Sequence, residues 1–183
     1  ISRTELYKHI QPLTTLLGDG HTQLYFPKEE LIKDNPLVFP LSVEVDTNDS
    51  SLYVTQDYTF SDIKIRKNAK ITSINGVGYK TLIGEMLNYC GGERPFFRLS
   101  KINRDFTHFL YMLFPCDTFI IKYSYDNETT ENLIDAIPYL QCEFLTQNNN
   151  IANIPYSFET VDNQIMVMTF NSFSNADQLS VFC

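Results

Sequence analysis

The stretch Leu16-Leu17-Gly18-Asp19-Gly20-His21-Thr22 ends a predicted helix and leads directly into a polar His-Thr pair. Apolar residues recur at helical spacing up to Leu17, and the Gly-Asp-Gly segment then stops the helix. The apolar residues are Leu6, Ile10, Leu13 and Leu17. A run with strand character follows at residues 23–26. Because histidine titrates near neutral pH, His21, held between two firm elements, is suited to act as a general base.

The alternation after Gly20 predicts which side chains of this run are buried. Leu24 and Phe26 should point into the core, and the opposite face, with His21, Gln23 and Tyr25, should border an open cleft. A competing interpretation makes His21 a turn residue whose ring satisfies local backbone groups. Asp19 has two interpretations as well: it orients His21 as the acid of a triad does, or it is an ordinary turn residue.

Composition describes an ordinary globular chain and excludes several classes of function. Of its 183 residues, 43% are hydrophobic and 20% are charged, which suits one core or one domain with part of another. A net charge of -8 argues against nucleic-acid and anionic membrane partners. No apolar run is long enough for a membrane span, and we expect no signal peptide in this sequence because residues 1–5 are polar and helical in character. The oligomeric state is left open.

Cysteine and histidine spacing does not suggest a metal site. The four cysteines lie far apart without a Cys-x-x-Cys pair, and we expect buried free thiols. His9 and His108 are predicted to be solvated helix residues, with His108 opposite the apolar stripe of its helix. Ser172 and Ser174 lack the Gly-x-Ser-x-Gly context of a nucleophile. We therefore expect no metal and no cofactor.

The pattern of elements divides the chain into three parts. Residues 1–37 are predicted to be helical, with a capping box at Ser2 and Glu5, an interruption at Pro12 and a second helix after Pro27.

Residues 38–125 combine strands with two helices. One strand is predicted at 38–45, another at 52–54, and a third at 71–74 before the tight turn Asn75-Gly76. Each helix has an apolar stripe. The stripe of the first is Leu82, Met86 and Cys90, before a stop at Gly91-Gly92, and the stripe of the second is Phe106, Phe109, Leu110, Leu113 and Phe114. A strand at 119–123 ends this part of the chain.

Residues 126–183 are predicted to be a linker followed by the first strands of a further domain. A hairpin is expected there, with strands at 156–161 and 165–170 around Asp162-Asn163-Gln164. Together the three parts predict an α+β fold.

The order of these segments resembles the front half of tail-specific (C-terminal processing) serine peptidases related to the tricorn core. The resemblance rests on Asp19-Gly20-His21-Thr22, then on residues 68–76 in a PDZ-like segment, and then on Met168–Phe173 in the final hairpin. It implies a small helical subdomain at 1–37, a PDZ-like domain at 38–125, and the truncated start of an α/β peptidase core at 126–183.

The resemblance also implies an activity. In the tricorn-like branch the histidine that matches His21 is the general base, and the following core supplies the serine and the oxyanion hole. The other branch uses a Ser-Lys dyad, in which His21 would not be the base. The chain departs from the family at Asn68, which replaces a glycine, and it shows no recognisable carboxylate-binding loop.

The resulting hypothesis is the non-nucleophile half of a serine endopeptidase that acts on a peptide or protein substrate. The resemblance further implies export to the periplasm or cell envelope. The alternative is a non-catalytic PDZ-like module that binds peptides or proteins.

Overall fold

The computed structural model describes residues 1–62, 64–142, 156–161 and 165–170. The chain divides into two compact units, Ile1–Thr146 and Gln147–Cys183. The described residues of the first unit form four α-helices and a largely antiparallel sheet, so the predicted α+β class is confirmed. Among the described residues, no helix has the length and apolarity needed to cross a bilayer.

Two helices open the first unit, and a carboxylate on the second caps the first. Helix α1 is Arg3–Thr15 and helix α2 is Lys28–Asp34. The predicted cap at Ser2 is confirmed, since its hydroxyl accepts a hydrogen bond from the Glu5 amide at 3.0 Å. The Glu30 carboxylate of α2 accepts from the amides of Arg3 at 2.7 Å and Thr4 at 2.9 Å, which lowers the pKa of Glu30.

The orientation of α1 differs from the prediction. The residues expected to anchor it are exposed, and they are Leu6, Ile10, Leu13 and Leu17. Tyr7 and Gln11 are the buried side chains of this helix. Aromatic contacts of Tyr7 and hydrogen bonds of Gln11 hold this face of the helix against the core. The prediction failed because periodicity identifies the faces of a helix but does not say which one is covered. Pro12 does not interrupt α1, which continues to Thr15.

The central sheet is formed by β2 (Leu41–Val45), β3 (Leu52–Asp57), β4 (Lys70–Ile74), β5 (Val77–Gly78), β6 (Thr118–Tyr125) and β7 (Glu128–Asp135). Its strand order is β2-β3-β4-β6-β7, with the short strand β5 paired to β4, and all its pairs are antiparallel. Strands β1 (Leu37–Val38) and β8 (Ile137–Pro138) form a separate pair. A short 3₁₀ turn, Tyr139–Gln141, follows β8.

The single strand predicted at 38–45 is therefore wrong. Pro40 lies between β1 and β2, which join different sheets. Proline has no N–H to continue a ladder, which explains the break. The predicted turn at Asn75-Gly76 is confirmed, with φ values of 49° and 77°. Asn68 also adopts positive φ, at 68°, as its replacement of a glycine predicts.

Helices α3 (Tyr79–Leu87) and α4 (Pro95–Leu113) pack on each other, and α4 also contacts the sheet strand β2. Their predicted apolar stripes are confirmed as core, although α3 ends before Gly91-Gly92. The expected burial of the cysteines is confirmed for Cys90 and Cys142, while Cys116 is partly buried. Cys183 lies outside the described residues, as do Ser172 and Ser174.

Strand β7 occupies residues that the sequence analysis assigned to a linker. It forms a hairpin with β6 through a turn at Asp126 and Asn127, both with positive φ. In the second unit, β9 (Tyr156–Val161) pairs antiparallel with β10 (Ile165–Phe170), which confirms the predicted hairpin. The PDZ-like designation and the three-part domain division stay predictions.

Candidate functional site

The loop after α1, residues 18–26 and here called the His21 loop, begins with a left-handed glycine. Gly18 has a φ of 66°, and its amide bonds to the Thr15 carbonyl at 3.1 Å. A residue without Cβ adopts this conformation at little cost, so Gly18 ends the helix as predicted. The predicted strand at 23–26 is absent, because residues 23–27 have no regular secondary structure.

Asp19 and His21 are brought together by a tight polar turn. The Asp19 Oδ1 atom accepts hydrogen bonds from the His21 amide at 3.0 Å, and it lies 3.1 Å from His21 Nδ1. The Thr22 hydroxyl donates to Asp19 Oδ2 at 2.6 Å. These bonds, with that of Thr22 the strongest influence, lower the pKa of Asp19 to about 2. Asp19 is therefore a carboxylate at neutral pH.

This contact favours one tautomer of His21. A carboxylate beside Nδ1 favours the proton on that nitrogen, which leaves the lone pair of Nε2 available as an acceptor. The His21 side chain is 96% exposed, so Nε2 is open to an incoming group. No described serine hydroxyl forms a hydrogen bond with the ring. The pair can orient an imidazole, and within the described residues it has no nucleophile beside it.

The His21 loop is held against α4 by Lys101, which sequence reasoning missed. Lys101 is 7% exposed, and its Nζ donates to the Gly20 carbonyl at 3.2 Å and to Gln23 Oε1 at 2.8 Å. Burial lowers the pKa of Lys101. Gly20 and Gln23 lie on either side of His21, so one ammonium group holds both ends of the turn that carries His21.

Two further contacts fix the loop. The buried Gln11 accepts from the Leu24 amide at 2.8 Å and donates to the Tyr89 carbonyl at 3.0 Å. Gly20 is packed so closely that an added Cβ would lie 2.7 Å from Cε1 of Phe97. The predicted open face is only partly correct, since His21 and Tyr25 are exposed while Gln23 turns toward Lys101. Leu24, predicted to be buried, is 40% exposed.

A second polar group, here called the Asp105 cluster, consists of Lys28, Arg104, Asp105, His108 and Tyr139. Asp105 interrupts the regular geometry of α4, with φ -118° and ψ 16°. Its Oδ2 accepts from Arg104 Nε at 2.9 Å and Nη2 at 2.8 Å, and its Oδ1 lies 3.7 Å from Lys28 Nζ. Burial raises the pKa of Asp105, but the contacts with His108 and Arg104 outweigh burial and lower it to about 2.

The prediction that His108 is solvated is wrong. It is 1% exposed, stacks on Phe26 with 5.0 Å between ring centroids, and bonds through Nε2 to the Tyr139 hydroxyl at 3.2 Å. Its Nδ1 lies 3.4 Å from Asp105 Oδ1 without hydrogen-bond geometry. Burial lowers the pKa of His108, which favours the neutral ring. The spacing of Asp105 and His108, three residues apart on α4, could have indicated this cluster from sequence.

Metal binding is not suggested by the side chains that the structure describes. Within residues 1–62, 64–142, 156–161 and 165–170, no group of three or more His, Cys, Asp or Glu side chains converges as a metal would require.

Comparison with known proteins shows a structural likeness for part of the chain. No protein-family model matches the chain, and no curated protein sequence matches it. A solved structure of mature CPAF is similar over 55% of this chain and 19% of that chain, with a TM-score of 0.41 and 16% sequence identity. The matched region thus spans about a fifth of the length of that protein.

Proposed function

We propose that this chain is the N-terminal part of a serine endopeptidase of the tail-specific, C-terminal processing type, with His21 as the general base. The observation that carries the proposal is the 3.1 Å contact between Asp19 Oδ1 and His21 Nδ1, combined with an imidazole that is 96% exposed. An oriented ring with an open Nε2 is the arrangement that proton transfer from a hydroxyl requires.

The proposed reaction is acyl transfer. A serine hydroxyl supplied from outside this chain attacks the carbonyl carbon of a peptide bond while His21 Nε2 takes its proton. His21 then gives the proton to the leaving amine as the C–N bond breaks, and water completes the hydrolysis. Asp19 keeps the proton of the neutral ring on Nδ1 and stabilises the imidazolium that forms. Backbone N–H groups of the segment that supplies the serine hold the oxyanion.

Exposure sets a condition on this mechanism. In water, the attraction between the Asp19 carboxylate and the imidazolium of His21 contributes little stabilisation, since solvent screens the two charges. The proposal therefore requires that substrate or further protein covers His21 during the reaction. The Lys101 and Gln11 contacts contribute by holding the loop in place before that happens.

The test uses a polypeptide in which this chain is joined to a serine-bearing core. His21→Ala should lower kcat by roughly 10³-fold or more, as losses of triad members do. His9→Ala, an exposed histidine on α1, is the matched control and should leave kcat unchanged. The 183-residue chain alone should not hydrolyse casein, and turnover that a serine-directed covalent inhibitor blocks would contradict the proposal.

Near-wild-type kcat in His21→Ala would transfer the role of the base to a Ser-Lys dyad.

The second candidate function is a non-catalytic PDZ-like module that binds a peptide or protein. The absence of a hydrogen bond between His21 and any described serine hydroxyl favours it. Binding of a peptide by the intact chain, with no serine-dependent turnover in any longer form, would support that alternative. In either case we propose an exported protein with a peptide or protein partner.

A further inference from the structure

A cavity of about 410 Å³ lies within the first unit, behind residues 23–26 of the His21 loop. Its other boundaries are α1, the start of α2, the segment after α3, and α4. Sites for small molecules in proteins have volumes of roughly 300–1,000 Å³. The size of the cavity therefore suits a small organic ligand, and the chemistry of its lining indicates which kind.

Aromatic rings form much of the wall, and they belong to Tyr7, Tyr25, Phe26, Tyr89 and Phe109. Tyr7 stacks on Tyr89 with 6.4 Å between centroids and meets the edge of Phe26 at 5.3 Å. The Tyr7 hydroxyl forms no hydrogen bond with a described residue, although the residue is only 6% exposed. A flat ring inserted here would find aromatic faces and an available hydroxyl.

Charged side chains of the same cavity carry an excess of positive charge. The cations are Lys28, Lys101 and Arg104, and the anions are Glu29 and Asp105. Arg104 already donates twice to Asp105, and Glu29 is exposed. The Lys28 ammonium lies 3.7 Å from Asp105 Oδ1, beyond hydrogen-bonding distance, so its N–H donors remain for another acceptor. This local excess stands out in a chain of net charge -8.

We propose that the cavity is a binding site for a small aromatic carboxylate. The ring of the ligand packs against the Tyr7 and Tyr89 side of the wall, and its carboxylate accepts charge-assisted hydrogen bonds from Lys28. A cation of the same shape is repelled by Lys28, Lys101 and Arg104. This site does not depend on the proposed peptidase activity, because none of the lining residues is His21 or Asp19.

Isothermal titration of the 183-residue chain with 3-phenylpropionate tests the proposal, and 3-phenylpropylamine is the ligand of similar shape and opposite charge. We expect saturable, millimolar or tighter binding of the acid and no binding of the amine. Lys28→Gln should weaken binding of the acid about tenfold, since a hydrogen bond to a charged group is lost. Lys80→Gln makes the same charge change at an exposed position of α3 outside the lining, and binding should change by less than twofold.

An amide NMR spectrum of each variant shows that the fold is intact. No saturable binding of the acid, equal binding of the amine, or equal weakening in both lysine variants would overturn the proposal. N-Acetylphenylalanine distinguishes the source of the ligand: tighter binding than 3-phenylpropionate identifies a peptide terminus, and weaker binding identifies a free acid.

Discussion

Lys101 of α4 donates a hydrogen bond from Nζ to the carbonyl oxygen of Gly20, the residue before His21, over 3.2 Å. The same ammonium donates to Gln23 Oε1 at 2.8 Å. Its ammonium also lies 4.9 Å from the ring centroid of Phe97, a cation–π distance. One buried cation thus connects the candidate catalytic turn to the helix that passes below it.

Lys101→Met should loosen the His21 loop without unfolding the chain. Methionine keeps most of the buried stem but leaves two acceptors without their donor, which costs about 1–3 kcal/mol. Hydrogen exchange at the amides of His21 and Leu24 should accelerate roughly tenfold, while exchange in α4 and β6 stays slow. Lys80→Met, at an exposed position, is the control. Unchanged exchange in the loop would show that Lys101 does not hold it.

Gly20→Ala and Gly84→Ala should change stability in opposite directions. A Cβ at Gly20 would lie 2.7 Å from Phe97 Cε1, so the ring or the loop must move, which costs about 1–3 kcal/mol. Gly84 lies inside α3 with open space around it, and alanine there should stabilise by about 1 kcal/mol through helix propensity.

Chemical denaturation of both glycine variants measures the difference. Combining Gly20→Ala with Phe97→Leu should recover part of the loss, because the smaller side chain makes room for the methyl group. If Gly20→Ala is as stable as the parent chain, the close packing of the loop on Phe97 is refuted.

His21→Ala should leave the free energy of unfolding within about 0.5 kcal/mol of the parent value, since the side chain is 96% exposed. A structural turn histidine would instead cost about 1–2 kcal/mol through lost hydrogen bonds. Thermal and denaturant unfolding of the 183-residue chain decide between the two, with His9→Ala for comparison. A large loss of stability would favour the structural interpretation of His21.

Asp105 should make stability depend on acid pH. The pKa of Asp105 falls from 3.8 to about 2 in the folded chain, so the unfolded state binds the proton more readily. The stabilisation is therefore complete above about pH 4 and is lost as pH falls toward 2, with a total of roughly 2 kcal/mol. His108 adds to the loss, because its lowered pKa means that acid protonates the unfolded state first.

Denaturation between pH 2 and 7 measures this effect, and Asp105→Asn should flatten the stability profile below about pH 4. Asp117→Asn, an exposed carboxylate, is the control for the change in charge. An unchanged acid profile in Asp105→Asn would mean that His108 and Arg104 do not lower the pKa of this carboxyl group.

Local signals predicted individual elements well. The Ser2 cap, the left-handed Gly18, the turn at Asn75-Gly76 and the hairpin of β9 and β10 all appear where residue chemistry places them. Each depends on neighbours a few positions apart, such as a hydroxyl and an amide or a glycine and its own backbone. The contact between Asp19 and His21 is of the same kind, and the local sequence pattern indicates both residues.

Burial was predicted less well, because it depends on distant parts of the chain. Leu6, Ile10 and Leu13 share an apolar stripe of α1, yet the covered face is the one with Tyr7 and Gln11. The pattern of α4 predicted a solvated position for His108, but Phe26 and the turn at Tyr139 cover its ring. Periodicity identifies a face of a helix, but only packing determines what lies against it.

By itself, the sequence determined the α+β class, the helix stop at Gly18 and the local turn that joins Asp19 to His21. Only the tertiary structure decided that Lys101 holds this turn and that Lys28, from another helix, approaches Asp105. The reason is physical: a capping bond or a left-handed glycine is satisfied within one turn of chain. A buried charge instead takes its partners from whichever elements the packed core brings within reach.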